Sequence, residues 1–114
     1  MTVDEIYLKI GQEIFNIIES ENWVKARLEF EFVGDGVVGY TGDYDENRGK
    51  KEMDVENIDD NISQWINELH GITTEGGNNK WNRAIFSLTS EGKFDMEFIW
   101  DQELNDDIER LSKN

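Results

Sequence analysis

Between Trp81 and Trp100 the chain reads WNRAIFSLTSEGKFDMEFIW, and no other stretch restricts the fold as tightly. Ala84, Phe86 and Leu88 alternate with Arg83, Ser87 and Thr89. After Ser90-Glu91-Gly92, Phe94, Met96, Phe98 and Trp100 alternate with Asp95 and Glu97. Period two marks half-buried strands, because successive side chains leave opposite faces. The break sets the register. A two-residue Glu-Gly turn would put Phe94 opposite Thr89 and split the apolar sets between two faces. A three-residue loop with Gly92 in the left-handed region pairs Leu88 with Phe94, Phe86 with Met96 and Ala84 with Phe98, all on one face. A slip by one residue would carry every one of these side chains into water, so the three-residue loop is predicted.

The same rule works earlier in the chain. From Trp23 onward Val24, Ala26, Leu28, Phe30 and Phe32 alternate with Lys25, Arg27, Glu29 and Glu31, and Val38, Tyr40 and Tyr44 follow Gly34-Asp35-Gly36. With Gly36 left-handed, Phe32 pairs with Val38, Phe30 with Tyr40 and Ala26 with Tyr44. Asp43 to Lys51 reads as a charged, turn-rich stretch, and Lys51 to Val55 as a short fifth strand.

Three helices complete the pattern. Thr2-Val3-Asp4-Glu5 is a capping box opening a helix from about Val3 to Ser20. Its apolar stripe is Val3, Ile6, Tyr7, Ile10, Ile14, Ile17 and Ile18. Leu8 and Phe15 lie off that stripe, on a second seam; a wide buried face is the expectation, with a contact surface as the alternative. Ile58, Ile62, Trp65, Ile66 and Leu69 define a second helix, with Asn57 as cap and a stop near His70-Gly71. Thr73 to Lys80 is a loop, and Leu104, Ile108 and Leu111 mark a third helix over Gln102–Ser112. A sheet with one apolar parity needs one cover. The expected architecture is therefore α+β in two layers, an antiparallel sheet of four to five strands with helices on one face, within a single domain over residues 1–114. The odd-numbered face stays open, carrying Arg27, Glu29, Glu31, Thr41, Asp43, Asp95 and Glu97, with Ile85 and Ile99 as apolar exceptions.

Composition narrows the function. The net charge is −15, from 26 acidic against 11 basic residues, so a phosphate backbone would be repelled while a basic protein would be drawn in. Thirteen aromatics and 37% apolar content separate the chain from disordered acidic tails. The absence of Cys fits a reducing compartment, and neither a signal peptide nor a membrane span is expected. Catalytic residues are not expected: the lone His70 sits at a helix end, and carboxylate pairs on an exposed strand lack the burial that tunes an acid. Asp43-Tyr44-Asp45 opens like a calcium loop, but Arg48 stands where Gly is needed and Asp54 where Glu is needed, so no metal site or cofactor is assigned.

The order of elements carries a resemblance. The segments ESENWVKARLEFEF and WNRAIFSLTSEGKFDMEFIWDQEL, with an amphipathic helix between, resemble the YezG-like antitoxin or immunity protein family. The likeness spans most of the chain, is sharpest over Trp81 to Leu104 and is poorest from Gly34 to Ile58. It implies a bacterial cytoplasmic protein that neutralises a cognate toxin, a nuclease being the expected kind, in a tight one-to-one complex. The partner is then a basic toxin protein. No contact residues carry over from the family; the acidic surface itself gives the expected contact, Glu29, Glu31, Asp43, Asp45 and Glu46 on the open sheet face and its neighbouring loop, with Asp101 to Glu109 as a second acidic candidate. The alternative is an adaptor or chaperone-like binding module for a secreted effector.

Overall fold

A computed structural model describes residues 1–77 and 79–112. The apolar alternation produces one five-stranded antiparallel sheet: β1 (Trp23–Gly34), β2 (Val37–Glu46), β3 (Gly49–Glu52), β4 (Arg83–Thr89) and β5 (Phe94–Ile99), in the order β3-β2-β1-β4-β5. Both hairpins take the predicted register. Phe32 faces Val38, Phe30 faces Tyr40 and Ala26 faces Tyr44; Leu88 faces Phe94, Phe86 faces Met96 and Ala84 faces Phe98. Gly36 and Gly92 both have positive φ. The tip of the first hairpin differs from the expected three-residue loop: Gly34 stays in β1 and pairs with Val37, so the extra residue, Val33, is taken up as a strand irregularity and the turn is Asp35-Gly36.

The helices α1 (Val3–Ile17) and α2 (Ile62–Thr73) cover the even-numbered face, and α3 (Gln102–Ser112) follows β5. Thr2 Oγ1 accepts the Glu5 amide while the Thr2 amide reaches the Glu5 carboxylate, each at 3.2 Å, so the capping box is present. Ile6, Ile10 and Ile14 of α1 and Ile62, Ile66 and Leu69 of α2 are fully buried with Leu28, Phe30 and Phe86. Tyr7 touches the rings of Phe86 and Phe94, and His70 packs between Phe32 and Trp81, which seats the two helices side by side on the sheet. Two layers thus enclose one apolar core, an α+β arrangement. Among the described residues no helix is long and apolar enough to cross a membrane.

Several local expectations need correction. The first helix stops at Ile17, three residues early, because Ile18 turns extended and drops its side chain into the core. Leu8 and Phe15 are not buried: they are 64% and 44% exposed, Phe15 meeting the edge of the Trp23 ring without being covered by it. Trp23 is buried and Val24 exposed, the reverse of the predicted parity, because β1 carries an extra residue between its Trp23–Glu46 and Lys25–Asp45 pairs. Asp43 to Glu46 is strand, not turn, and the fifth strand runs over Gly49–Glu52 instead of Lys51 to Val55. The second helix begins at Ile62. Ahead of it lies a 3-10 turn over Val55–Asn57, and the Asp59 carboxylate then accepts the Asn61 amide at 2.9 Å, holding the chain in an Asx turn. Gly71 lies within the helix, whose end is set instead by Thr73 and Thr74, with hydroxyls that donate to the Leu69 and His70 carbonyls. Of the following loop, Asn78 lies outside the described residues.

Gly42 shows how tightly the β2 edge is packed. It occupies a core-facing position between Tyr40 and Tyr44, and Met53 folds its side chain into the space a larger residue would fill. The Met53 amide donates to the Gly42 carbonyl at 2.9 Å. A Cβ on Gly42 would meet the Arg27 carbonyl oxygen and the Met53 sulfur, both at 2.9 Å. At Gly39, on the same strand, it would meet nothing closer than 3.8 Å. Gly42→Ala is expected to lower stability by about 1–3 kcal/mol through overpacking, while Gly39→Ala costs nothing measurable. Urea unfolding midpoints of the two variants, side by side, check this.

Candidate functional site

The open face is organised by two arginines, one on the central strand β1 and one on its neighbour β4. Arg27 projects from β1 directly opposite Asp43 of β2, with Asp45 two residues further on the same face. Its Nη2 lies 3.0 Å from Asp45 Oδ1 and its Nη1 3.3 Å from Asp45 Oδ2, a two-pronged contact suited to the planar guanidinium. Nη2 also approaches Asp43 Oδ1 to 2.6 Å, off the hydrogen-bond direction, so this second contact is an ion pair alone. The hydrogen bond from Arg27 holds the Asp45 carboxyl below its ordinary range, and the same bond raises the arginine.

Arg83 of β4 does similar work further along. It faces Glu31 across the β1–β4 pair, 3.4 Å from Nη2 to Oε2, and its Nε lies 2.9 Å from Asp101 Oδ2. Asp101 is itself occupied at the start of α3, where Oδ1 accepts the Leu104 amide at 3.0 Å. Beside it Asn82, the one buried polar residue among those described, clamps the Asp101 backbone: Nδ2 donates to the carbonyl and Oδ1 accepts the amide, both at 2.8 Å. Glu46, at the end of β2, accepts the Ser20 hydroxyl.

Of the five residues expected to form the contact, therefore, Asp43 and Asp45 converge on Arg27, Glu31 joins Arg83, and Glu46 lies apart with Ser20. Of these five, Glu29 alone makes no hydrogen bond or ion pair with the described residues. It lines a groove that runs from β1 over the β2–β3 edge. The far wall of this groove carries Glu52, Asp54 and Glu56, with Lys50 and Lys51 at one end. The groove opens a segment with a strong charge bias: from Glu52 to Asn79 the chain holds Glu52, Asp54, Glu56, Asp59, Asp60, Glu68 and Glu75 and no Lys or Arg. In the middle of the sheet, by contrast, each arginine meets two carboxylates, so the acidic excess there is partly offset.

His70 is engaged in structure. Its Nε2 lies 3.0 Å from the Trp81 carbonyl oxygen, to which it donates, and the Trp81 indole N–H donates in turn to Thr73 Oγ1 at 2.8 Å. Asp43 and Asp45, the first positions of the candidate calcium loop, sit on a strand and face Arg27. Away from the open face, α1 and the β4–β5 hairpin enclose a shallow apolar groove lined by Tyr7, Leu8, Phe15, Leu88 and Phe94. The Arg27 clamp was accessible to sequence reasoning, since the predicted Ala26–Tyr44 pair implies Arg27 opposite Asp43, whereas the Arg83 clamp rests on the β1–β4 pairing, which no hairpin register specifies. Asn82 had no such signal, because its partners are backbone groups remote in sequence.

Compared with known proteins, the chain matches no protein-family model and no curated protein. A prediction follows from Asp45. Its pKa is lowered on folding, so its contribution to stability is present above the unfolded carboxyl range and is lost as pH falls through the lower folded value. Asp45→Asn is expected to flatten the loss of stability below about pH 4. Urea midpoints between neutral pH and pH 2 measure the slope, and an unchanged acid limb counts against the Arg27–Asp45 bond.

Proposed function

We propose that this chain is an immunity protein: a non-enzymatic inhibitor that binds a basic toxin, of nuclease type, in the bacterial cytoplasm. The observation that carries the reading is the acidic groove, in which Glu29 and Glu52 of the sheet and Asp54 and Glu56 of the segment that follows it come together within a chain of net charge −15. Carboxylates held in this way stand in for phosphates. A cationic substrate groove on the toxin meets them with charge-assisted hydrogen bonds, and nucleic acid is then excluded from the same groove. No bond is made or broken, so the inhibitor needs no catalytic group. The long-range field adds speed: complementary charge lifts association from about 10⁵–10⁶ toward about 10⁸–10⁹ M⁻¹s⁻¹ at low salt. The resemblance of ESENWVKARLEFEF and the Ser-Glu-Gly-Lys-Phe hairpin to YezG-like immunity proteins points the same way.

The test is co-expression with a basic, nuclease-like toxin domain, sought first in the neighbouring reading frames. The chain is expected to restore growth and to block cleavage of nucleic acid in vitro at one-to-one ratio. Reversing Glu29, Glu52, Asp54 and Glu56 to Lys should slow association at least about tenfold at low salt and flatten its salt dependence. Failure of the wild-type chain to inhibit, or turnover of a substrate by the purified chain alone, would overturn the reading.

A further inference from the structure

The sheet has two outer edges, and they are unlike. β3 is four residues long, fully exposed and carries Lys50 and Lys51, the usual way of blunting an edge. β5 is six residues long and carries neither Lys nor Pro. The Thr89 amide donates to the Lys93 carbonyl at 2.8 Å, which sets the alternation of the β4–β5 ladder. Asp95 and Glu97 therefore bond toward β4, and the amides and carbonyls of Phe94, Met96 and Phe98 point outward from the sheet. Their side chains lie on the even face, Phe94 being 52% and Phe98 38% exposed, and Phe94 continues into the apolar groove beside Leu8 and Phe15. Asp95 and Glu97 project from the opposite face and have no partner among the described residues.

We infer that the free edge of β5 docks an extended segment of the basic partner, added as a sixth strand, whose residues alternate apolar side chains with Lys or Arg. The outward backbone groups supply the ladder, and the alternation supplies the specificity. In an antiparallel addition the residues facing Phe94, Met96 and Phe98 form the hydrogen-bonded pairs, so those facing Asp95 and Glu97 form the closer, non-hydrogen-bonded pairs. Cations there meet the two carboxylates, and apolar residues on the other face shield Phe94 and Phe98. The same charges disfavour a second copy of this chain. An antiparallel β5–β5 pairing centred on Met96 sets Asp95 against Glu97, and one centred on Asp95 sets Asp95 against itself; like charges directly opposite destabilise a sheet. The inference rests on the partner being basic, as proposed above, and adds the edge on which its chain docks.

The probe is a ten-residue peptide alternating Val and Lys, with a Val–Glu peptide as control, added to the full chain. Expected are binding of the Val–Lys peptide alone, slowed hydrogen exchange at the Phe94, Met96 and Phe98 amides, and a loss of about tenfold or more in affinity in the double variant Asp95→Lys, Glu97→Lys with unchanged melting temperature. The proposal is overturned if the Val–Lys peptide fails to bind, if it binds without slowing those amides, or if the free chain self-associates through β5. Carried over to the toxin complex, the same amides separate the two readings. Inhibition with β5 unprotected overturns the docking edge and leaves the inhibitor reading standing. Protection of β5 by the peptide with no toxin neutralised supports the edge and removes the inhibitor.

Discussion

Burial of one parity of β1 is the constraint from which the rest of this molecule follows. β1 is paired on both sides, by β2 and by β4, so its backbone has no freedom to rotate a side chain from one face to the other. Ala26, Leu28 and Phe30 lie under α1 and α2, and all three are essentially inaccessible. Each large side chain so placed contributes on the order of 1.5–3 kcal/mol before conformational entropy is subtracted. Arg27, Glu29 and Glu31 are thereby committed to the other face. The charged platform is a direct consequence of the core, since the two share one strand and alternate along it.

Electrostatics then redistributes the charge. A net charge of −15 suggests a uniformly negative surface, but Arg27 on β1 and Arg83 on β4 draw in the nearest carboxylates. These pairs are partly solvent-exposed, so each contributes modestly to stability. Their larger effect is on geometry. Arg27 ties β1 to β2, and the Arg83–Asp101 contact with the Asn82 clamp ties β4 to the start of α3. The acidic excess is only partly offset there, and it is largest along the connection from β3 into α2, where no cation follows for many residues. A surface acidic from centre to rim attracts cations from a distance.

The sheet edges express the same logic in backbone terms. A strand edge offers unpaired amides and carbonyls to any extended chain, and the two edges handle this differently. At β3 short length and lysines discourage pairing. At β5 the ladder is left open, and two carboxylates on one face make self-pairing unfavourable. The exposed seam of Leu8 and Phe15 lies next to this edge, so the apolar surface that α1 leaves uncovered is continuous with the open backbone.

The strand parity, both hairpin registers, the capping box and the bounds of α3 were determined by sequence alone, because each depends on contacts within a few residues or on a periodicity that burial enforces. The pairing of Arg27 with Asp43 was legible too, as a corollary of the Ala26–Tyr44 register. Other features belonged to the tertiary structure. The bulge at Val24 reverses the parity of Trp23 so that its ring can reach Phe15 across the layers, a demand that arises only once α1 is docked. The space at Gly42 is claimed by Met53, and the Asx turn at Asp59 delays α2 although Ile58 is already buried. Of the five carboxylates named from sequence, four are engaged and Glu29 is free, because which acid finds a cation depends on strand neighbours and side-chain reach in three dimensions. Periodicity assigns a residue to a face; only the packed neighbours decide what it meets there.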